Sequence, residues 1–161
     1  MSIRLAKPAD APAIENLLQQ LGYSGTGGFL VRKLERMLDD PDERVLVYET
    51  DAPQARDRAS AQSEARSGVA AQPEVVAFVS LHFIPQLALA GDFARISYFA
   101  VDDRFRSKGI GHQMEEHIVA LARQRHCDRI EVHCHWQRGD AHRFYFRQGY
   151  EEAPKYLIKR L

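Results

Sequence analysis

The sequence predicts an α/β (α+β) fold, one sheet with helices on its faces, in a single domain over residues 1–161. Three observations carry that expectation. Runs rich in β-branched and aromatic residues alternate with runs whose apolar residues return at helical spacing. A polar turn containing Gly109 and Gly111 joins one such strand run to one such helical run. At 161 residues the chain can bury a sizeable core, and one domain is its simplest organisation.

Ile3-Arg4-Leu5 alternates and suits a first strand, after which Asp10 is placed to cap a helix whose first turn tolerates Pro12. Ile14, Leu17, Leu18 and Leu21 fall at i, i+3, i+4 and i+7 and make one apolar face, which Gly22 ends. Residues 24–28, Ser-Gly-Thr-Gly-Gly, read as a flexible loop before a second helix with Leu30, Leu34, Met37 and Leu38 on one side and Pro41 at its end. Residues 44–49 have strand composition. Residues 51–73 contain no aromatic residue and only Val69 as a larger aliphatic. Such a stretch buries too little apolar surface to offset its ordering entropy, so a disordered insertion is expected there, with residues 75–83 pairing back onto 44–49 as a hairpin. A connection over residues 85–92 leads to a strand over 94–101, the glycine turn, and a helix with Ile110, Met114, Ile118, Leu121 and Ala122 on one face. The run from Arg129 to His135 alternates, with Ile130, Val132 and Cys134 on one side and Glu131, His133 and His135 on the other. A short helix from about Asp140 to Gln148 is stopped by Gly149, and a terminal strand pair is expected over residues 150–152 and 155–161.

The 22 basic and 22 acidic side chains cancel, so no global field draws the protein to nucleic acid or to an anionic membrane. No apolar run approaches the ~20 residues of a membrane span, and the first residues lack the pattern of a signal peptide, so a cytoplasmic protein is expected. Cys127 and Cys134 form no CxxC pair and are expected to be reduced and structural. His133 and His135 resemble half a metal site, but no further ligands stand at a recognisable spacing, and no metal is expected.

The glycine turn is the feature with the most chemistry. A helix start leaves backbone N–H groups without intrahelical partners and carries partial positive charge, so an anionic phosphate is a natural occupant. Gly109 and Gly111 let a ligand approach the backbone without meeting a Cβ, and Arg104, Arg106 and Lys108 supply mobile positive charge. A tight strand-to-helix turn with solvated basic residues would carry the same letters. Neither the Gly-x-x-x-x-Gly-Lys-Ser/Thr pattern of a P-loop nor a Gly-x-Gly-x-x-Gly dinucleotide fingerprint is present.

Two motifs stand in order: Val101-x4-Arg106-x-x-Gly109-Ile110-Gly111, and Arg138-x-x-Ala141-His142-Arg143-Phe144-Tyr145-x-x-x-Gly149-Tyr150. With the element order, they resemble the GNAT superfamily of acyl-CoA-dependent N-acyltransferases over nearly the whole chain, residues 51–73 being left over. The first matches that family's Gln/Arg-x-x-Gly-x-Gly/Ala loop. The second matches its Asn-x-x-Ala-x-x-x-Tyr-x-x-x-Gly-Phe helix, with Arg138 in place of Asn and Tyr150 in place of Phe.

The resemblance implies a mixed, mainly antiparallel central sheet flanked by about four helices, and acetyl-CoA as co-substrate without a metal. It implies that the amides of Lys108, Gly109, Ile110, Gly111 and His112 bind the pyrophosphate, with Arg106 and Ser107 in the same loop, and that main-chain groups of Phe99, Ala100 and Val101 pair with the pantetheine arm. Arg138 stands where an Asn often touches pantetheine and could instead meet a phosphate or an anionic acceptor. Tyr145 occupies the general-acid position, although within Phe144-Tyr145-Phe146 a core aromatic is the other reading. Many members carry a Glu where this chain has Ser97, which cannot act as a base at neutral pH but can hold a water. His133 is the candidate base, with His135 and Glu131 on the same side of their strand. The implied acceptor is a primary amine of a small molecule, the variant of the second motif being similar to aminoglycoside or aminoalkylphosphonate-type members. Homodimers are common in similar proteins. Two alternatives remain beside it, a non-catalytic acyl-CoA-binding or sensing module and a protein N-acetyltransferase.

Overall fold

In the computed structural model, which describes residues 2–50, 73–153 and 157–160, four strands follow one another as antiparallel neighbours. They are β1 (Ser2–Leu5), β2 (Glu43–Thr50), β3 (Glu74–Ile84) and β4 (Phe93–Val101). A fifth strand, β5 (Arg129–Val132), lies beside β4 in parallel. Parallel neighbours need a crossover, and α3 (Ile110–Gln124) supplies it. The other helices are α1 (Ala11–Gln20), α2 (Gly27–Asp39) and α4 (Gly139–Arg147). The sheet is therefore mixed and mainly antiparallel with four helices on its faces, as the family resemblance implies. The insertion expected at residues 51–73 falls on residues outside the described set, Pro73 excepted.

Strand alternation sorts the core into two layers. Val45, Val47, Phe78 and Ala100 point to the face covered by α1 and α2, where Ile14, Leu17, Leu18 and Leu34 meet them. Leu46, Tyr48, Leu81, Ala94 and Ile96 point to the other face, against Ile110, Met114 and Ile118 of α3 and Tyr145 of α4. The helical stripes read from periodicity are thus the buried faces. Among the described residues no helix is long and apolar enough to cross a membrane.

Four local expectations are corrected. Asp10 makes no side-chain cap on α1; its carboxylate instead accepts the Lys7 amide at 2.7 Å and pairs with Arg4 at 2.7 Å, because a charged partner outbids a cap. Gly27 and Gly28 belong to α2 rather than to a loop, and the Gly27 amide donates to Glu15 Oε1 at 2.9 Å. β5 stops at Val132, although the alternation of letters continues to His135. Residues 150–152 and 157–160 are not in strands, the rest of the expected terminal pair lying outside the described residues.

Candidate active site

β4 and β5 pair over only four residues, Phe93 with Arg129 through Ile96 with Val132. Beyond Ile96 β4 runs on to Val101 while β5 has ended, so the edge of β4 over residues 97–101 is open on that side. The opening begins at a β-bulge. Ser80 pairs with Tyr98 and Leu81 with Ile96, which leaves Ser97 as the extra residue, exposed and outside the ladder. Phe99 packs edge-on against Phe144 at 5.9 Å, so α4 stands beside the open edge.

At the far end of β4 the chain turns through a 3-10 segment, Asp103–Phe105, into the glycine loop. Ser107 (φ 61°) and Gly109 (φ 81°) adopt left-handed backbone, and Gln113 N–H closes the first helical bond onto Gly109 O at 3.0 Å. The amides ahead of Gln113 in α3 lack intrahelical acceptors and point out of the helix start. Gly111 has a second reason to be glycine, since a Cβ there would lie 3.2 Å from Phe144 Cε2. Of the three basic residues, Arg104 is not mobile charge: it binds Asp102 at 2.8 Å and Glu74 at 2.6 Å. Its hydrogen bonds hold the buried Asp102 carboxyl below the usual carboxylate range. Arg106 pairs with Asp103 at 2.5 Å and reaches Val101 O, and Lys108 Nζ lies 4.7 Å over the Phe105 ring. His112 Nδ1 lies 2.8 Å from Gln148 Oε1, which ties α3 to the end of α4.

Tyr145 is a core aromatic on α4, next to the Phe144 that packs on the β4 edge. It is 9% exposed and packs at 5.2 Å against Phe144 and against Tyr150. Burial pushes its phenol pKa up, with the Cys134 thiol adding to the effect. Arg138, the N-cap residue of α4, spends one Nη on Leu21 O at 2.6 Å and so fastens α4 to the end of α1.

The candidate bases separate clearly. Burial would raise the Glu131 carboxyl, but hydrogen bonds from Arg95 (3.0 Å) and Arg129 (2.8 Å) bring it below its usual range, which makes it a poor proton acceptor. His135 stacks on Trp136 and caps its own turn through Gln137 N–H. His133 and Ser97 come together, both lining a cavity of about 250 Å³ with Tyr23, Arg95, Ile96 and Tyr98. Tyr23, Arg95 and Tyr98 carry no motif in the sequence; only the cross-strand register and the 5.3 Å edge-on contact between Tyr23 and Tyr98 bring them together. Among the described residues no group of three His, Cys, Asp or Glu side chains could hold a metal ion.

Residues 27–150 match the acetyltransferase (GNAT) family. An aminoalkylphosphonate N-acetyltransferase from Salmonella typhimurium is 35% identical over 88 residues, a match that spans 55% of this chain and 57% of that protein. A solved structure described as a transcriptional regulator from Bacillus halodurans has a TM-score of 0.77 at 20% identity over 99% of each chain. Glucosamine-6-phosphate N-acetyltransferase from Arabidopsis thaliana has a TM-score of 0.74 at 20% identity, over 99% of this chain and 97% of that one. Likeness at such identities speaks to the fold alone. The family match, by contrast, runs from the start of α2 through the glycine loop to Tyr150, and the chain belongs to the GNAT acetyltransferase family.

Proposed function

We propose that the protein moves an acetyl group from acetyl-CoA to the primary amine of a small molecule by direct attack. The observation that carries this reading is the open β4 edge, which begins at the Ser97 bulge and leads to the glycine loop at the start of α3. Main-chain groups of Phe99, Ala100 and Val101 are free of β5 there and fit an amide-bearing arm as an added strand would. The amides of residues 108–112, with Arg106, Ser107 and Lys108 around them, fit a pyrophosphate at a helix start. When bound, acetyl-CoA supplies an acyl group activated as a thioester. Tyr145 donates its proton to the departing sulfur; a phenol raised by burial above its ordinary ~10, beside a thiol of ordinary pKa ~8.5, does so only at short range. Burial keeps that phenol protonated at neutral pH and so available as a donor.

For the acceptor, the cavity at Ser97 supports an amine that also bears an anionic group. Its lining contains Arg95 and His133 and no carboxylate, and Arg95 Nε is buried without a hydrogen-bond acceptor. The partial match to the aminoalkylphosphonate N-acetyltransferase supports the same class. Thiol release from acetyl-CoA, measured with 2-aminoethylphosphonate, β-alanine, ethanolamine and spermidine, tests both points. Release is expected with the first two above the others. Coenzyme A binding without thiol release from any amine would leave a sensing module instead. Tyr145→Phe is expected to lower kcat by about 10²-fold with acetyl-CoA affinity little changed; unchanged turnover would remove the proposed acid.

A further inference from the structure

Acetyl transfer needs a neutral amine, and three polar side chains on the α1/α2 face of the sheet form a chain that the reading above does not use. Ser80 and His82 stand two residues apart on β3 and so share a face, and Glu43 on β2 is the cross-strand partner of His82. His82 Nε2 lies 3.4 Å from Ser80 Oγ, and His82 Nδ1 lies against the Glu43 carboxylate. Ser80 is 5% exposed, in a row with Phe78 and opposite Val45, and Glu43 Oε2 is buried in contact with the imidazole but without an aligned hydrogen bond. Polar groups set into such a layer are costly unless paired, and here they stand in contact in sequence, hydroxyl to imidazole to carboxylate.

The chain also begins beside the acceptor cavity. On the β4 side, Ser80 is the cross-strand partner of Tyr98 and His82 that of Arg95, on the same face of the sheet. Tyr98 and Arg95 both line the cavity, and Ser97 bulges out between them. The charged groups around His82 are Glu43 from β2 and Arg95 from β4, with Glu131 of β5 bound to Arg95 behind it. At the turn into β2, Arg44 spends its guanidinium on the carbonyls of Pro41 and Glu43, and Asp40 accepts the Asp42 amide.

We infer that Ser80, His82 and Glu43 form a proton relay that deprotonates the acceptor's ammonium group at this cavity; the inference rests on the acetyl-transfer reading. A carboxylate at Nδ1 favours the neutral tautomer with its hydrogen on Nδ1, which leaves the Nε2 lone pair toward Ser80. The ammonium proton passes to Ser80 Oγ, directly or through one water, as the Ser80 hydroxyl proton passes to Nε2, and Glu43 stabilises the resulting imidazolium. The nitrogen lone pair then forms the C–N bond, the C–S bond breaks, and the sulfur takes the Tyr145 proton. The acylated nitrogen gives its second proton through water to the Tyr145 phenolate, which restores the acid, and the relay passes the ammonium proton on to water, so one proton is released per turnover. His82 acts through Ser80 and is a positioning residue in this scheme.

The test is kcat/KM against pH for the wild type, His82→Gln, Glu43→Gln and Ser80→Ala, using whichever amine of the panel turns over. Wild type is expected to show an acid limb. His82→Gln is expected to lose about 10²-fold near neutrality, with the gap closing as pH approaches the amine's own pKa, because a neutral amine needs no acceptor. Glu43→Gln should lower kcat/KM near neutrality by less than His82→Gln does, with the gap again closing at high pH, since the imidazole keeps its place but loses its carboxylate. A His82→Gln loss that is the same at every pH, or an acid limb that survives His82→Gln and vanishes in His133→Gln, overturns the relay. Ser80→Ala carries the same comparison if His82→Gln fails to fold, with melting temperature and coenzyme A stabilisation as the folding check. Absence of turnover by the wild type with any amine removes acetyl transfer and the relay together, whereas wild-type turnover with a pH-independent His82→Gln defect removes the relay alone. Nitrogen-15 spectra of labelled histidine give a readout apart from activity: His82 with its hydrogen on Nδ1 is expected, and a dominant Nε2–H form overturns the scheme.

Discussion

Gly109 and Gly111 are two residues apart and are glycine for different reasons. Gly109 holds a left-handed conformation at φ 81°, which costs an L side chain about 1–2 kcal/mol; Gly109→Ala should lower stability by about that much in urea unfolding and weaken acetyl-CoA binding. Gly111 is helical, and its missing Cβ admits the Phe144 ring. Gly111→Ala therefore shifts the neighbour of Tyr145 and should lower kcat as well as melting temperature. The sequence reading assigns both glycines to ligand approach, because a glycine letter does not say what its absent side chain would have met. Tyr145 reads as an acid from its motif and as a core aromatic from its neighbours; the structure shows the core aromatic, and the acid is the proposal. Its raised phenol pKa predicts that kcat shows no alkaline fall from tyrosine ionisation between about pH 7 and about pH 9; a fall that disappears in Tyr145→Phe would contradict that.

The first elements are held by a charge cluster that periodicity could not reveal. Arg4 on β1 binds Asp10 at 2.7 Å and Glu49 on β2 at 2.5 Å, joining the edge strand, the turn before α1 and the second strand. Burial would raise the Asp10 carboxyl, but hydrogen bonds from Arg4 and from the Lys7 amide bring it below its ordinary value; Glu49 is lowered chiefly by its hydrogen bond from Arg4. A carboxyl lowered in the folded state adds stability that is present above its unfolded pKa and is lost as pH falls through the folded one. Arg4→Met should thus destabilise by about 1–3 kcal/mol at neutral pH by leaving the buried Asp10 carboxylate without its cation, held only by the Lys7 amide, with the gap to wild type narrowing as pH falls below ~4. Helix faces were readable because 3.6-residue spacing is local. The end of β5 was not, because a strand lasts only as long as its partner stays alongside, and β4 leaves β5 at the Ser97 bulge.

At the scale of the molecule, the proposed donor side of the site is written in contiguous letters, and the proposed acceptor side is assembled by register. Residues 99–112 come from one stretch of chain, so the motif announces them. Tyr23 and Arg95 line one cavity with Tyr98, Tyr23 by packing on the Tyr98 ring, and Ser80 and His82 stand next to it only as the cross-strand partners of Tyr98 and Arg95. If coenzyme A binds as proposed, it should stabilise the native state by about 2.7 kcal/mol at a hundredfold excess over Kd, or roughly 5–10 °C in Tm for a chain of this size; no shift at saturating ligand would remove the site. The fork between β4 and β5 also bears on how the molecule opens. β1 through β4 are sequential antiparallel neighbours, whereas β5 is reached only across α3 and is held by four paired residues. Short parallel pairings made after a long crossover belong to the least protected units of a fold. Amides of β5 should then exchange with deuterium before those of β2 and β3, and a ligand lying along the fork should slow them most.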